Sequence, residues 1–402
     1  MEAKFVRDAV VLGLVMAIGP FAIDMYLPAL PTIGKSLGTT PDLAAMTLTA
    51  FFVSFGLFQI VVGPVSDMVG RKPPLYVGLA LFAVASVGCA LASDIHSLIG
   101  WRILQGISAA AGMVVPGAIV RDMYTGLKAA RLMSMLMLVF SVSPILAPSA
   151  GSLLIAAADW RAVFWFVAAA AVAALVMLAM LQEETRPHAA RRGATIASSL
   201  AAFRLLLGHR DFLALTFVGG FALASLFIYL GSSSFVLIDH YGLSPIAYAI
   251  AFSANAAGLF GSAQLNGWLG RWFPLRRIVQ VAAIGHVAAM LLLFALVALG
   301  FDRLEVIVVL LFVGYAFLGQ IMPITTVLAM DEHGAIAGAA YSLMSTLRLI
   351  VGATAIGISS LFADGTALPM VAGIAAAASM TFLLWQFTYS RVSPVAERAP
   401  AE

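Results

Sequence analysis

The chain alternates long apolar runs with short polar segments. Twelve runs, at roughly 8–30, 43–63, 75–93, 97–120, 131–156, 161–182, 211–238, 246–269, 277–299, 305–328, 336–362 and 367–390, are each about as long as a helix crossing a hydrocarbon core. Apolar side chains occupy every face of these runs. Spanning β-strands are shorter and alternate apolar with polar positions, so a barrel is excluded. The pattern predicts an all-α membrane protein of twelve transmembrane helices.

Composition agrees. Of the 402 residues, 62% are hydrophobic and 10% charged, whereas a soluble domain carries about 25% charged residues. A water-facing surface cannot be built from this chain, and no soluble domain fits between the runs. The N-terminus carries Lys4 and Arg7 before an apolar run, as a signal peptide would. That run is long, contains Pro20, Asp24 and Pro28, and lacks a small-residue cleavage site, so it reads as the first span. The lone cysteine, Cys89, permits no intrachain disulfide and no cysteine-based metal site.

Charge sets the orientation. Of 22 Lys and Arg residues, 17 fall at the N-terminus, in the 64–74, 121–131, 183–210 and 270–277 segments, and in the C-terminal tail. On the other side lie 3: Lys35, Arg161 and Arg303. Arg102 and Arg348 sit inside runs. Basic loops stay cytoplasmic, which places both termini in the cytoplasm and requires an even number of spans. The longest loop divides the chain into an N-terminal six-helix bundle (1–182), a linker (183–210), a C-terminal six-helix bundle (211–390) and a tail (391–402). In the linker, Ile196, Leu200, Phe203 and Leu207 form one helical stripe, as in a helix lying in the membrane interface; a flexible linker is the alternative. The halves echo each other: Gly63 to Lys72 after the second run matches Gly267 to Arg276 after the eighth, at an offset of 204. Duplicated halves around a midplane site are a common transporter plan.

Particular residues carry chemistry. Gly63 and Gly70 permit tight turns, and Asp67 precedes Arg71 and Lys72 by four and five residues. The group suits a latch of paired charges holding two helices in one transport state; an ordinary basic loop is the alternative. Asp24 is the one carboxylate clearly inside a run. A charge placed mid-bilayer costs roughly 2.5–3.5 kcal/mol on insertion scales, so it must meet a cavity or a partner. Burial favours the protonated form of a carboxyl, as a proton carrier requires; an aspartate reaching the outer headgroups is the other reading. Arg102 cannot shed its proton, so it would tune the aspartate, with Gln105 on the same helix face, or brace neighbouring helices. Pro144 and Pro148 remove backbone donors, while Ser143, Ala147 and Gly151 form a small-residue face; together they suit a hinge. Tyr26, Phe55, Gln59, Tyr229, Asn255, Gln320 and Arg348 are candidates for a substrate cavity, each weighed against plain helix packing or bracing.

These segments resemble the major facilitator superfamily. Gly63-Pro-Val-Ser-Asp-Met-Val-Gly-Arg-Lys72 is similar to its loop signature. Arg102-Ile-Leu-Gln105-Gly106 is similar to the Arg-x-x-Gln-Gly motif of its proton-driven exporters. Asp24-Met-Tyr-Leu-Pro-Ala-Leu-Pro31 resembles the first span of the Bcr/CflA drug exporters, and Pro144-Ile-Leu-Ala-Pro-Ser-Ala-Gly151 resembles the antiporter motif. The second half matches more loosely, through Ala337-Gly338, Ser342-Leu343, Arg348 and Gly352-Ala353. Met68 departs from the family's arginine, and Ala147 and Ser152 from its glycines. Met16 stands where some related exporters carry a second acid. The resemblance implies two pseudo-symmetric six-helix bundles (the major facilitator fold) and a monomer in the plasma or bacterial inner membrane. It further implies export of small amphipathic drugs or antibiotics by alternating access, with Asp24 taking the proton. The alternative is a symporter or facilitator for a nutrient or metabolite.

No catalytic set emerges, so no enzyme is expected. Six histidines are scattered without metal-ligand spacing, no metal site is expected, and no phosphate-binding Gly-Lys-Ser/Thr loop is present. The expected partners are a small-molecule substrate, protons and membrane lipid, with no nucleic acid. No cofactor is expected beyond the proton gradient itself.

Overall fold

The computed structural model describes residues 3–186, 196–333 and 336–389. The expected tail at 391–402 and positions 187–195 of the expected linker lie outside the described residues. Among the described residues, twelve helical segments are long and apolar enough to cross a membrane. Each overlaps one of the twelve apolar runs. The chain forms two compact units, Met1–Ala201 and Ala202–Glu402.

In the first unit, α1 (Ala3–Asp24) is followed by a 3₁₀ turn (Leu27–Ala29) and α2 (Leu30–Ser36), which together make one span. Proline explains the break. Pro28 has no N–H to give the Asp24 carbonyl, and Pro31 has none for Leu27, so the α-ladder fails at Asp24. Then follow α3 (Pro41–Val69), α4 (Lys72–Ala90), α5 (Ile95–Met123), α6 (Gly126–Ala157) and α7 (Arg161–Leu181). The α6 helix continues unbroken through Pro144 and Pro148.

The boundary between the units falls within α8 (Ile196–Gly208), and the second unit takes in α9 (Arg210–Ser234), its π-helical extension (Phe235–His240) and α10 (Pro245–Ala263). It continues with α11 (Asn266–Leu269), α12 (Leu275–Ala298), α13 (Leu304–Met330), α14 (Ala337–Ser360) and α15 (Leu368–Tyr389). On α8, Phe203 and Leu206 are buried, while Leu200 and Leu207 are exposed. Leu200, Phe203 and Leu207 share one helical face, buried at Phe203 and exposed at the two leucines.

The units share one internal packing scheme. In the first, α1 packs on α5, α6 and α7, α3 and α4 both pack on α5, and α4 packs on α7. In the second, α9 packs on α13, α14 and α15, α10 and α12 both pack on α13, and α12 packs on α15. The repeat extends to atoms. A Cβ at Gly106 of α5 would overlap the Phe51 carbonyl and Ser54 Oγ of α3. A Cβ at Gly319 of α13 would overlap the Leu259 carbonyl and Ser262 Oγ of α10. In each crossing the serine donates to that same carbonyl, at 2.9 Å from Ser54 and 3.0 Å from Ser262. Glycine is required because one helix lies directly on the backbone of the other.

Two sequence expectations fail here. The tight turn expected at Gly63 is absent: α3 continues through Gly63 and Asp67 to Val69. Gly70, at φ 107°, makes the turn alone. Asp67 therefore occupies the last turn of a helix rather than a loop. At its end Arg71 bonds both the Ser66 hydroxyl and the Asp67 carboxylate. Asp24 is also not the sole buried carboxylate of the first span. Asp8 is fully buried, accepting from Arg7 Nη2 at 3.1 Å and from the Tyr124 hydroxyl at 2.8 Å.

Candidate functional site

Asp24 ends α1 where the backbone opens, and its side chain is buried at 5% exposure. It accepts one hydrogen bond, from Ser143 Oγ of α6 at 3.0 Å. Two turns further along α6, Gly151 lies on the Met25 backbone so closely that a Cβ would overlap the Met25 carbonyl. Ser143 and Ala147, on the same face, are fully buried. The small-residue face is thus the wall against which the opened end of α1 is set. Ser143 read from sequence as packing; it is also the carboxylate's partner. Ionised carboxylates are costly to bury without a cation, and among the described residues no cation pairs with Asp24.

The direct pairing that would let Arg102 tune Asp24 is not there. The Arg102 guanidinium lies 4.6 Å from the Tyr26 ring centroid and 4.5 Å from that of Phe51. Such a sandwich stabilises a desolvated cation through the ring quadrupoles. Its Nη1 donates to Gln105 Oε1 at 2.6 Å, and Gln105 Nε2 donates to Ser86 Oγ at 2.8 Å. Nε and Nη2 are buried with no hydrogen-bond partner. Tyr26, two residues beyond Asp24, shares its hydroxyl with Thr47 at 2.7 Å. It belongs to the Arg102 core, and its ring is fully buried.

The basic turn is a clasp within the first unit. Arg71 Nη1 pairs with Asp67 at 2.8 Å and Nε with Asp122 of α5 at 2.7 Å. Burial opposes its charge, but the bonds to Asp122 and Asp67 outweigh it and hold Arg71 above its ordinary value. Arg71 and Lys72 give their backbone N–H groups to the Glu184 carboxylate at 2.9 and 3.1 Å. Pro73 and Pro74 have no N–H, so all four groups at the start of α4 are accounted for. Lys72 Nζ donates to the Gln182 carbonyl at 2.5 Å, and Arg186 pairs with Asp67 at 3.4 Å. Gly70, Arg71, Lys72 and Asp67 lie together in this turn. Asp122, Glu184 and Arg186 complete the clasp and carry no local sequence signal, since their partners lie 51 to 119 residues away.

The other cavity candidates are held by different neighbours. Phe55 is half-buried and stacked on Phe51 at 5.8 Å, and Gln59 is buried. Tyr229 accepts from Asn255 Nδ2 at 3.0 Å and stacks on Phe252. Gln320 donates to the Ser262 carbonyl. Arg348 donates to Thr326 and Thr325 at 2.7 and 3.1 Å, with its guanidinium against Gly219. That is the bracing geometry.

A polytopic helical membrane protein with internally repeated bundles and a buried carboxylate in its first span is the transporter class. The model of the Major Facilitator Superfamily matches residues 12–356, and the chain belongs to that superfamily. It is a transporter and not an enzyme, and an integral membrane protein. Over 367 residues it is 33% identical to the uncharacterized MFS-type transporter YdgK of Bacillus subtilis, covering 90% of each chain. Over 386 residues it is 28% identical to the bicyclomycin resistance protein homolog of Haemophilus influenzae, covering 94% of this chain and 95% of that one. Among solved structures, a D-xylose-proton symporter superposes with a TM-score of 0.72 at 14% identity, over 96% of this chain and 98% of the other. That likeness concerns the fold alone.

Proposed function

We propose that this transporter exports small amphipathic drugs or antibiotics in exchange for protons, by alternating access. The observation that carries the reading is Asp24: a buried carboxyl whose single partner among the described residues is a hydroxyl, at a break in the first span. Such a group can hold or release a proton without dismantling an ion pair. The resemblance to the bicyclomycin resistance protein homolog supports an antibiotic as cargo. One proton falling through 100 mV supplies about 2.3 kcal/mol, and each pH unit adds about 1.4 kcal/mol. No cofactor takes part in this scheme. Cytoplasmic termini fit the distribution of Lys and Arg, while a monomer in the plasma or bacterial inner membrane is what the family resemblance implies.

The test uses everted vesicles with an acid interior, a panel of antibiotics and a pH-sensitive dye inside. Drug addition is expected to make the interior alkaline in wild type and to have no effect in Asp24→Asn. A response of wild-type size in the variant would move the proton site elsewhere. The second reading is nutrient uptake with protons, since the same fold serves the D-xylose-proton symporter. It would gain if no drug evoked a response while a nutrient did.

A further inference from the structure

The two bundles treat their matching basic turns in opposite ways. In the first, Arg71 and Lys72 are satisfied inside the protein by Asp67, Asp122, Glu184 and the Gln182 carbonyl. At the offset of 204, Asp67 is matched by Arg271 and Lys72 by Arg276. The second turn thus exchanges its carboxylate for a third cation. Arg276 still imitates Lys72: it donates to the Tyr389 carbonyl at the end of α15, as Lys72 donates to the segment after α7. Arg271 and Arg277 are exposed, and neither they nor Arg276 pairs with any carboxylate among the described residues. Arg277 lies over the Phe273 ring at 5.8 Å, and the Arg276 Nε is buried without a hydrogen-bond partner.

Beside these cations, aromatic rings project outward. Trp268 is 58% exposed, Trp272 70% and Phe273 44%. Exposed tryptophan at the end of a membrane span belongs at headgroup depth, where its ring meets chains and its N–H meets polar groups. Unneutralised arginine at that depth attracts anionic lipid, and its fork of donors fits phosphate oxygens. We propose that the turn between α10 and α12, through Arg271, Arg276 and Arg277 flanked by Trp268 and Trp272, binds the headgroup phosphate of an anionic phospholipid. The lipid supplies the negative charge that Asp67, Asp122 and Glu184 supply in the first bundle. This site is independent of the cargo.

The experiment is lipid titration of the delipidated full-length protein, with bound lipids counted by native mass spectrometry. Dioleoyl phosphatidylglycerol is compared with dioleoyl phosphatidylcholine. Wild type is expected to prefer phosphatidylglycerol by roughly tenfold or more, and Arg271→Gln with Arg277→Gln to lose that preference. Arg303→Gln, on the opposite side of the membrane, is expected to keep it. Equal binding of the two lipids by wild type would overturn the proposal, as would an undiminished preference in the double variant. Competition by millimolar inorganic phosphate as effective as that by lipid would also overturn it, because the site would then serve a soluble anion. Trp272→Ala is expected to weaken both lipids alike.

Discussion

Asp24 and Arg102 stand out in the sequence because a charge in an apolar run has no other excuse. Their surroundings do not stand out. Ser143, which holds Asp24, is 119 residues away, and nothing in its own neighbourhood distinguishes it from a packing serine. Arg102 is legible as a motif residue, but its use of two rings is not, because Tyr26 comes from the break in the first span and Phe51 from α3. The sandwich makes a measurable claim. Tyr26→Phe keeps the ring and loses the Thr47 bond, which is expected to cost about 1 kcal/mol. Tyr26→Leu also removes one face of the cation's enclosure, which is expected to add about 2 kcal/mol. Thermal unfolding in detergent should therefore rank wild type above Tyr26→Phe above Tyr26→Leu. Equal melting temperatures for the two variants would show that the ring does nothing for Arg102.

At the scale of elements, the spans themselves were readable, since length and apolarity dictate them. Their ends were less so. The Gly63 turn was misplaced because hydrophobicity marks where a helix leaves the bilayer, not where it stops. The start of α9 lies within one residue of the predicted run, but its cap is not legible there. His209 precedes it and accepts the Phe212 N–H through Nδ1 at 3.3 Å, so the neutral ring carries its hydrogen on Nε2, facing Glu332 at 3.4 Å. His333 sits edge-on to His209 at 4.8 Å. Burial, then the neighbouring His209, push His333 below its ordinary value, with Glu332 opposing. The unfolded chain consequently binds that proton more readily than the folded one. Stability is expected to be flat above about pH 6.5 and to fall below it. Melting curves taken between about pH 8 and pH 5.5 should show the fall in wild type and a smaller one in His333→Gln. A larger fall in the variant would reverse the assignment.

Over the whole molecule, the distribution of Lys and Arg makes a prediction that can be read on intact cells. In a Cys89→Ser background, a cysteine at Ser93 is expected to react with a membrane-impermeant maleimide, and one at Arg271 is not. The opposite pattern would invert the topology. The duplication was faintly visible as the echo of one turn. The shared packing scheme was invisible, because Gly106 precedes nothing in its motif that reappears around Gly319, where the neighbouring glutamine lies on the other side of the glycine. What repeats is a steric demand, and sequence comparison of the halves is blind to it.

The clasp at Arg71 has a consequence for how the chain is made. Only Gly70 and Arg71 separate α3 from α4, so the two spans must enter the bilayer as a hairpin. Asp122 lies 51 residues further along the chain and Glu184 113, so both reach the turn after it has left the ribosome. The nascent turn therefore meets the insertion machinery with Asp67 as the one carboxylate beside Arg71 and Lys72, and its basic residues favour the cytoplasmic side. Once the sixth span emerges, the late-arriving carboxylates close over the same side chains. The residues that first address the hairpin to its side of the membrane then become the fastening that keeps it there.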